Sequence, residues 1–166
     1  MTGSDAPLLF LDVDGPLIPF GAPPPGGYPT YPGLEPSGNP LVARADPALG
    51  RRLLALPCEL VWATTWQDDA NDCLSPRLGL PQLPVVDWPV ADDGAGGNGG
   101  PHWKTRPLVA WAAGRPFAWV DDEITPADRR WVGAHSPAPA LLHRVDPRVG
   151  LTEADFSTID AWLHTT

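Results

Sequence analysis

Two hydrophobic runs far apart in the chain each end in a pair of aspartates: Leu8-Leu9-Phe10-Leu11-Asp12-Val13-Asp14-Gly15 and Phe117-Ala118-Trp119-Val120-Asp121-Asp122. Folding alone does not ask for this. Carboxylates at the mouth of a buried strand repel one another and lose hydration, so such a cluster is tolerable where a cation neutralises it. A hard divalent ion with oxygen ligands fits, and Mg2+ with a phosphorylated substrate is its natural occupant. Residues two apart in a strand point the same way, so Asp12 and Asp14 can share a crevice if the chain stays extended, with Gly15 permitting a sharp exit.

A lone lysine adds to this set. Of the 11 lysines and arginines only Lys104 is a lysine, in a chain with 23 prolines and 17 glycines. That bias reads as GC-rich codon usage, in which arginine serves wherever a generic surface cation suffices. Lys104 then marks a place needing a compact, flexible point charge, such as a phosphate site, against the alternative of an accidental surface lysine.

The elements that must position these groups are short. Apolar segments at 8–13, 59–64, 84–87, 117–121 and 140–145 lack polar alternation, as strands covered on both faces do. Helices are expected at 46–56, 67–74, 105–113, 126–133 and 152–164. Thr125-Pro126 and Thr152-Glu153 serve as starts. Strands alternating with helices predict a doubly wound, Rossmann-like α/β fold: a parallel sheet of about five strands with helices on both faces. In such sheets ligands bind beyond the carboxyl ends of the strands, where Asp12, Asp14, Thr64, Thr65, Asp121 and Asp122 all fall.

Two stretches break the pattern. Segment 16–40 holds nine prolines, with Tyr28 and Tyr31 in its middle. It is read as a flap arching over the site, because it follows directly on the first aspartate pair. Segment 91–101, with five glycines in eleven residues, leads as a loop into His102-Trp103-Lys104.

Composition bounds the rest. At 166 residues, 43% hydrophobic and with eight tryptophans, the chain suits a single domain over 1–166. A formal charge of −9 gives no basic footprint, so nucleic acid is not expected as a broad partner, nor an anionic membrane. No leader or membrane-length apolar run is evident, and a cytoplasmic location is expected. Cys58 and Cys73 read as free core thiols.

The order of these motifs resembles the haloacid-dehalogenase superfamily, over most of the chain: Asp12-Val13-Asp14-Gly15, then Thr64 ending Val61-Trp62-Ala63, then Lys104, then Asp121-Asp122. The resemblance implies a hydrolase of the phosphatase type with a small cap or none, since little chain is left between the first motif and 59–64. It implies Asp12 as the nucleophile forming an aspartyl-phosphate and Asp14 as general acid and then base. Thr64, Thr65 and Lys104 would hold phosphoryl oxygens. Mg2+ would be bound by Asp12, Asp14 (through its main-chain carbonyl), Asp121 and Asp122, with Asp121 nearest the ion. An aspartate at position 14 separates the superfamily's phosphatases from its dehalogenases. Pro16 stands where the superfamily more often has threonine or valine, and Glu123 follows where a separate downstream aspartate is usual.

The substrate implied is a small or mid-sized phosphate ester, with Tyr28, Tyr31 and Trp66 as candidate contacts and Trp103 bordering the pocket, although core packing is the commoner role for such tryptophans. Trp62-Ala63-Thr64-Thr65-Trp66 with Asn71 is also similar to small phosphatase-like domains found with RNA-repair proteins. Two further readings therefore stay open. One is a catalytically weak binding or regulatory module on the same fold. The other is a polynucleotide-end phosphatase, which would need an arginine cluster such as Arg51, Arg52, Arg129 and Arg130 at the site.

Overall fold

The computed structural model describes residues 6–31, 40–88 and 101–166. Four strands, β1 (Leu8–Leu11), β2 (Glu59–Trp62), β3 (Phe117–Asp121) and β4 (Ala140–Arg144), pair in parallel in the order β2-β1-β3-β4. Five helices accompany them: α1 (Leu49–Leu54), α2 (Asp68–Leu78), α3 (Thr105–Ala112), α4 (Pro126–His135) and α5 (Glu153–Leu163). A short 3-10 helix spans Pro40–Arg44. Among the described residues there is no large cap, and no helix is long and apolar enough to cross a membrane.

The absence of alternation in the strands follows from burial on both faces. Leu9, Leu11, Trp62, Ala118 and Val120 pack with Leu53, Leu74 and Phe156, which brings α1, α2 and α5 to one face. Leu8, Phe10, Val61, Phe117 and Trp119 pack with Leu108 and Val132, which brings α3 and α4 to the other. Side chains alternate between these two cores along every strand.

The expected fifth strand at 84–87 is reduced to a single bridge between Val85 and Trp62. Trp62 donates to Pro84 O at 2.9 Å and accepts from Val86 N at 3.0 Å. Pro84 has no N–H of its own with which to extend the ladder. Asn71 holds this segment in place instead: its Oδ1 accepts from Leu83 N and Trp62 Nε1, and its Nδ2 donates to Leu83 O. Other boundaries shift by a turn or less. Helix α2 runs through Pro76 to a left-handed Gly79, past the expected end at 74. Helix α1 begins at Leu49, after a turn in which Asp46 Oδ1 accepts from Ala48 N.

The start of the expected flap is core. The chain folds back at Gly15, whose N–H donates to Ile18 O, and Leu17 and Ile18 are buried. From there the chain runs over the surface to Tyr31, tied by Arg44 to Pro19 O and by Arg77 to Tyr31 O. Residues 32–39 of the flap and most of the glycine-rich loop, 89–100, lie outside the described residues.

Candidate active site

Register brings the first group of functional side chains together. Leu11 pairs with both Trp62 and Val120, so one residue further on Asp12 stands between Ala63 and Asp121. By the alternation of strand faces these positions lie on the side of α3 and α4. Lys104, at the start of α3, reaches into that row. Its Nζ lies 2.9 Å from Asp121 Oδ2, 3.1 Å from Ala63 O and 3.3 Å from Asp12 Oδ1, and the whole side chain is buried. Each of Asp12, Asp121 and Asp122 offers an oxygen within 4.8 Å of the others. Asp122 comes this close because residue 15 is glycine: with φ +102°, a Cβ there would stand 2.9 Å from Asp122 Cβ.

The electrostatics are unbalanced. Burial pushes the Asp12 carboxyl up to about 8, with Lys104 pulling it down and Asp121 pushing it further up. Burial, a hydrogen bond with Asp121 and the charge of Asp121 raise Asp122 to about 7. Burial alone would lower Lys104, but Asp12 and Asp121 outweigh it and hold the ammonium above its ordinary value. One ammonium thus reaches two of the three carboxylates, Asp12 and Asp121, while burial raises Asp12 and Asp122 to about 8 and about 7. An all-oxygen donor set carrying surplus negative charge suits a hard divalent cation, which would discharge it.

The second group meets at the end of β2. Thr64 is fully buried, and its Oγ1 accepts from Trp66 N at 3.2 Å. The indole Nε1 of Trp66 donates to Asp14 Oδ2 at 3.1 Å. Asp14 is half-buried and directs its carboxylate to this indole, apart from the trio of Asp12, Asp121 and Asp122. Thr65 is exposed. Tyr28 and Tyr31 are bound elsewhere: Tyr28 Oη donates to Ala22 O and its ring lies under Arg44, while the main chain of Tyr31 bonds Ala43 and Arg77.

Three groups near the site escaped the sequence reading. Trp88 donates to Thr64 O at 3.0 Å and meets Trp103 edge-to-face at 5.0 Å; Lys104 Nζ lies 5.9 and 5.7 Å from the two ring centres. His102 Nδ1 accepts from Lys104 N, which leaves Nε2 to donate to Glu123 at 2.6 Å. Asp128 is fully buried and accepts from His102 N, Thr105 Oγ1, Thr125 N and Thr125 Oγ1, tying the start of α3 to the start of α4. Only the Thr125-Pro126-Ala127-Asp128 spacing, a capping box, was available to signal it.

The four arginines that a polynucleotide groove would need do not form one patch. Arg51 and Arg52 are on α1 and Arg129 and Arg130 on α4, on opposite faces of the sheet. Arg52 pairs with Glu153, and Arg129 donates to Leu142 O. Cys58 and Cys73 are free thiols packed against the core.

No curated protein and no solved structure matched the chain. Residues 8–156 match the family described as the HAD domain in Swiss Army Knife RNA repair proteins, and with its four-stranded parallel sheet and strand-end aspartates the chain belongs to that family.

Proposed function

We propose that this protein is a Mg2+-dependent phosphatase that hydrolyses a phosphate monoester through an aspartyl-phosphate on Asp12, within one domain. The observation that carries the reading is the buried Lys104 ammonium set between Asp12 and Asp121, a cation too few for its carboxylates. Asp12, Asp121, Asp122 and the main-chain carbonyl of Asp14 would hold the ion, whose charge allows a carboxylate to approach a phosphate dianion. An Asp12 oxygen attacks phosphorus, the bond to the ester oxygen breaks, and Asp14 gives that oxygen its proton. Water then attacks the acyl phosphate, Asp14 takes its proton, and Asp12 is freed as inorganic phosphate leaves. Lys104 and the hydroxyls of Thr64 and Thr65 stabilise charge on the phosphoryl oxygens. The Thr64 Oγ1 accepts from Trp66 N, so its own proton is available for this.

Hydrolysis of an aryl phosphate, measured with Mg2+, with chelator and with Asp12→Asn, tests the proposal. Metal-dependent turnover that the nearly isosteric mutant loses by at least roughly a hundredfold is expected. Turnover persisting in the mutant would reject the nucleophile; a wild-type protein that binds Mg2+ without turnover would favour a binding module.

A second reading, a polynucleotide end as the substrate, is favoured by the family's description and by Trp88 and Trp103 beside Lys104, Trp103 being 49% exposed. A base next to a terminal phosphate could stack there. The net charge of −9 limits it to the last nucleotides. A lower KM for a phosphate-ended oligonucleotide than for an alkyl phosphate, lost in Trp103→Ala, is the expected result.

A further inference from the structure

Trp66 touches both polar groups at the end of β2. Its main-chain N–H donates to Thr64 Oγ1 and its indole N–H to Asp14 Oδ2, across 52 positions of chain. Among the described residues this indole is the sole hydrogen-bond donor to the Asp14 carboxylate. The bond is not forced by a need to satisfy a buried donor. Trp66 is half-buried, so water could serve it, and the fold tolerates the indole of Trp119, whose buried N–H has no partner among the described residues.

The backbone that follows Trp66 is held in a tight turn. Gln67 has φ +50° and ψ −130°, and Asp69 N–H closes onto Trp66 O at 3.0 Å, the geometry of a type II′ turn with glutamine where glycine is favoured. Such a conformation is strained and persists where the surroundings over-determine it. The indole body packs against the core under α1, α2 and α5.

We propose that Trp66 is a positioning residue for Asp14. With the indole donating to Oδ2, and a carbonyl oxygen being the better acceptor, a proton on Asp14 is favoured on Oδ1. The carboxyl is thereby held in one orientation and one tautomer, with Oδ1 giving the proton to the leaving oxygen and later receiving one from water. This rests on the reading of Asp14 as general acid and base.

The test uses the Mg2+-loaded full chain and Trp66→Phe, which keeps an aromatic ring and removes the donor. Values of kcat/KM report the step in which the ester bond breaks, and protonation matters most when the leaving oxygen is basic. The expected result is a loss on an alkyl phosphate about tenfold larger than the loss on 4-nitrophenyl phosphate, with the vanadate inhibition constant unchanged. Trp66→His, which retains a ring N–H, should recover part of the loss. In an Asp14→Asn background Trp66→Phe should add nothing. Equal losses on both substrates, a further loss in the Asp14→Asn background, or a rate increase in Trp66→Phe would each overturn the proposal. If Trp66→Phe does not fold, a Trp66→His enzyme that loses as much on the aryl as on the alkyl substrate would overturn it too. A wild-type protein inert toward both substrates would sink the phosphatase reading itself, and this proposal with it.

Discussion

A single carboxylate, Asp128, and the trio of Asp12, Asp121 and Asp122, one loop apart, are built to opposite specifications. Asp128 is alone and fully supplied: four donors, three of them on other elements or caps, converge on its two oxygens. Burial would raise it, yet the hydrogen bonds from Thr105, Thr125 and His102 hold it below its ordinary value. Asp12, Asp121 and Asp122 crowd together with one ammonium, which reaches only Asp12 and Asp121, and burial drives Asp12 and Asp122 up toward neutrality. A carboxylate that serves the fold is satisfied from within the chain. A set left short of positive charge has to be completed from outside, which is the physical signature of a site rather than of a scaffold.

The largest effect expected from breaking this contrast is on the satisfied member. Asp128→Ala removes the acceptor of donors on His102, Thr105 and Thr125, of which Thr105 is fully buried and worth roughly 1–3 kcal/mol by itself, so with the part-buried bonds a loss of about 3 kcal/mol is expected. In a chain of this size that lowers Tm by about ten degrees. Activity should fall as well, because the same bonds seat the turn that carries Lys104. The sister capping box at Thr152 and Asp155 is the control: Asp155 also binds its Thr152 cap but has only His143 beyond it, and no link to the site. Asp155→Ala should cost about 1 kcal/mol and leave turnover alone. Thermal melts and kcat/KM of the two variants side by side check this; equal losses would remove the distinction.

The unbalanced set should show itself in the pH dependence of the metal-free protein. Asp12 holds its proton to about 8 in the folded state against an ordinary 3.8. Below about 4 both states are protonated and the stabilisation is full; as pH rises toward 8 the unfolded chain has released the proton and the folded one has not, so stability is lost. Asp122, raised to about 7, adds in the same direction. Asp128 has the opposite sign, contributing above its ordinary value and losing its contribution as pH falls through the lower folded one. Melts in chelator should therefore show Tm falling from pH 5 to pH 8. Asp12→Asn should flatten that fall, and added Mg2+ should raise the wild-type Tm more at pH 8 than at pH 5. A Tm that rises over this range in chelator would contradict the assignment.

The unsatisfied half of the contrast was the legible half. Leu8–Leu11 and Phe117–Asp121 are apolar at every position until the aspartates, because both faces are covered, and the break from apolar to acidic is written locally. Parallel register then sets Asp12 beside Asp121 without further information. The satisfied half depends on partners 23 and 26 positions from Asp128, and nothing near Thr125 indicates them. The segment at 84–87 has strand composition, but Pro84 removes the donor a ladder needs, and the side chain of Asn71 replaces it. Tyr28 and Tyr31 lie next to the site in sequence order, yet Arg44 and Arg77, reached only through the fold, hold their loop against the 3-10 helix and α2.

The smallest effect expected concerns the turn that leads from β2 into α2. Gln67 sits where glycine is preferred, in the loop between Thr64 and α2. Gln67→Gly removes the strain of a side chain at φ +50° but also frees the unfolded chain, which costs roughly 0.5–1 kcal/mol. The balance favours the variant by at most about 1–2 kcal/mol. If the turn only connects β2 to α2, stability should rise and turnover should not move. If it holds the Trp66 indole on Asp14, a protein that melts higher should turn over an alkyl phosphate more slowly, by a few-fold, with the aryl phosphate less affected. A gain in stability with that selective loss would mean that the strain at Gln67 is retained for the placement of Trp66, because relieving it improves the fold and loosens only the site.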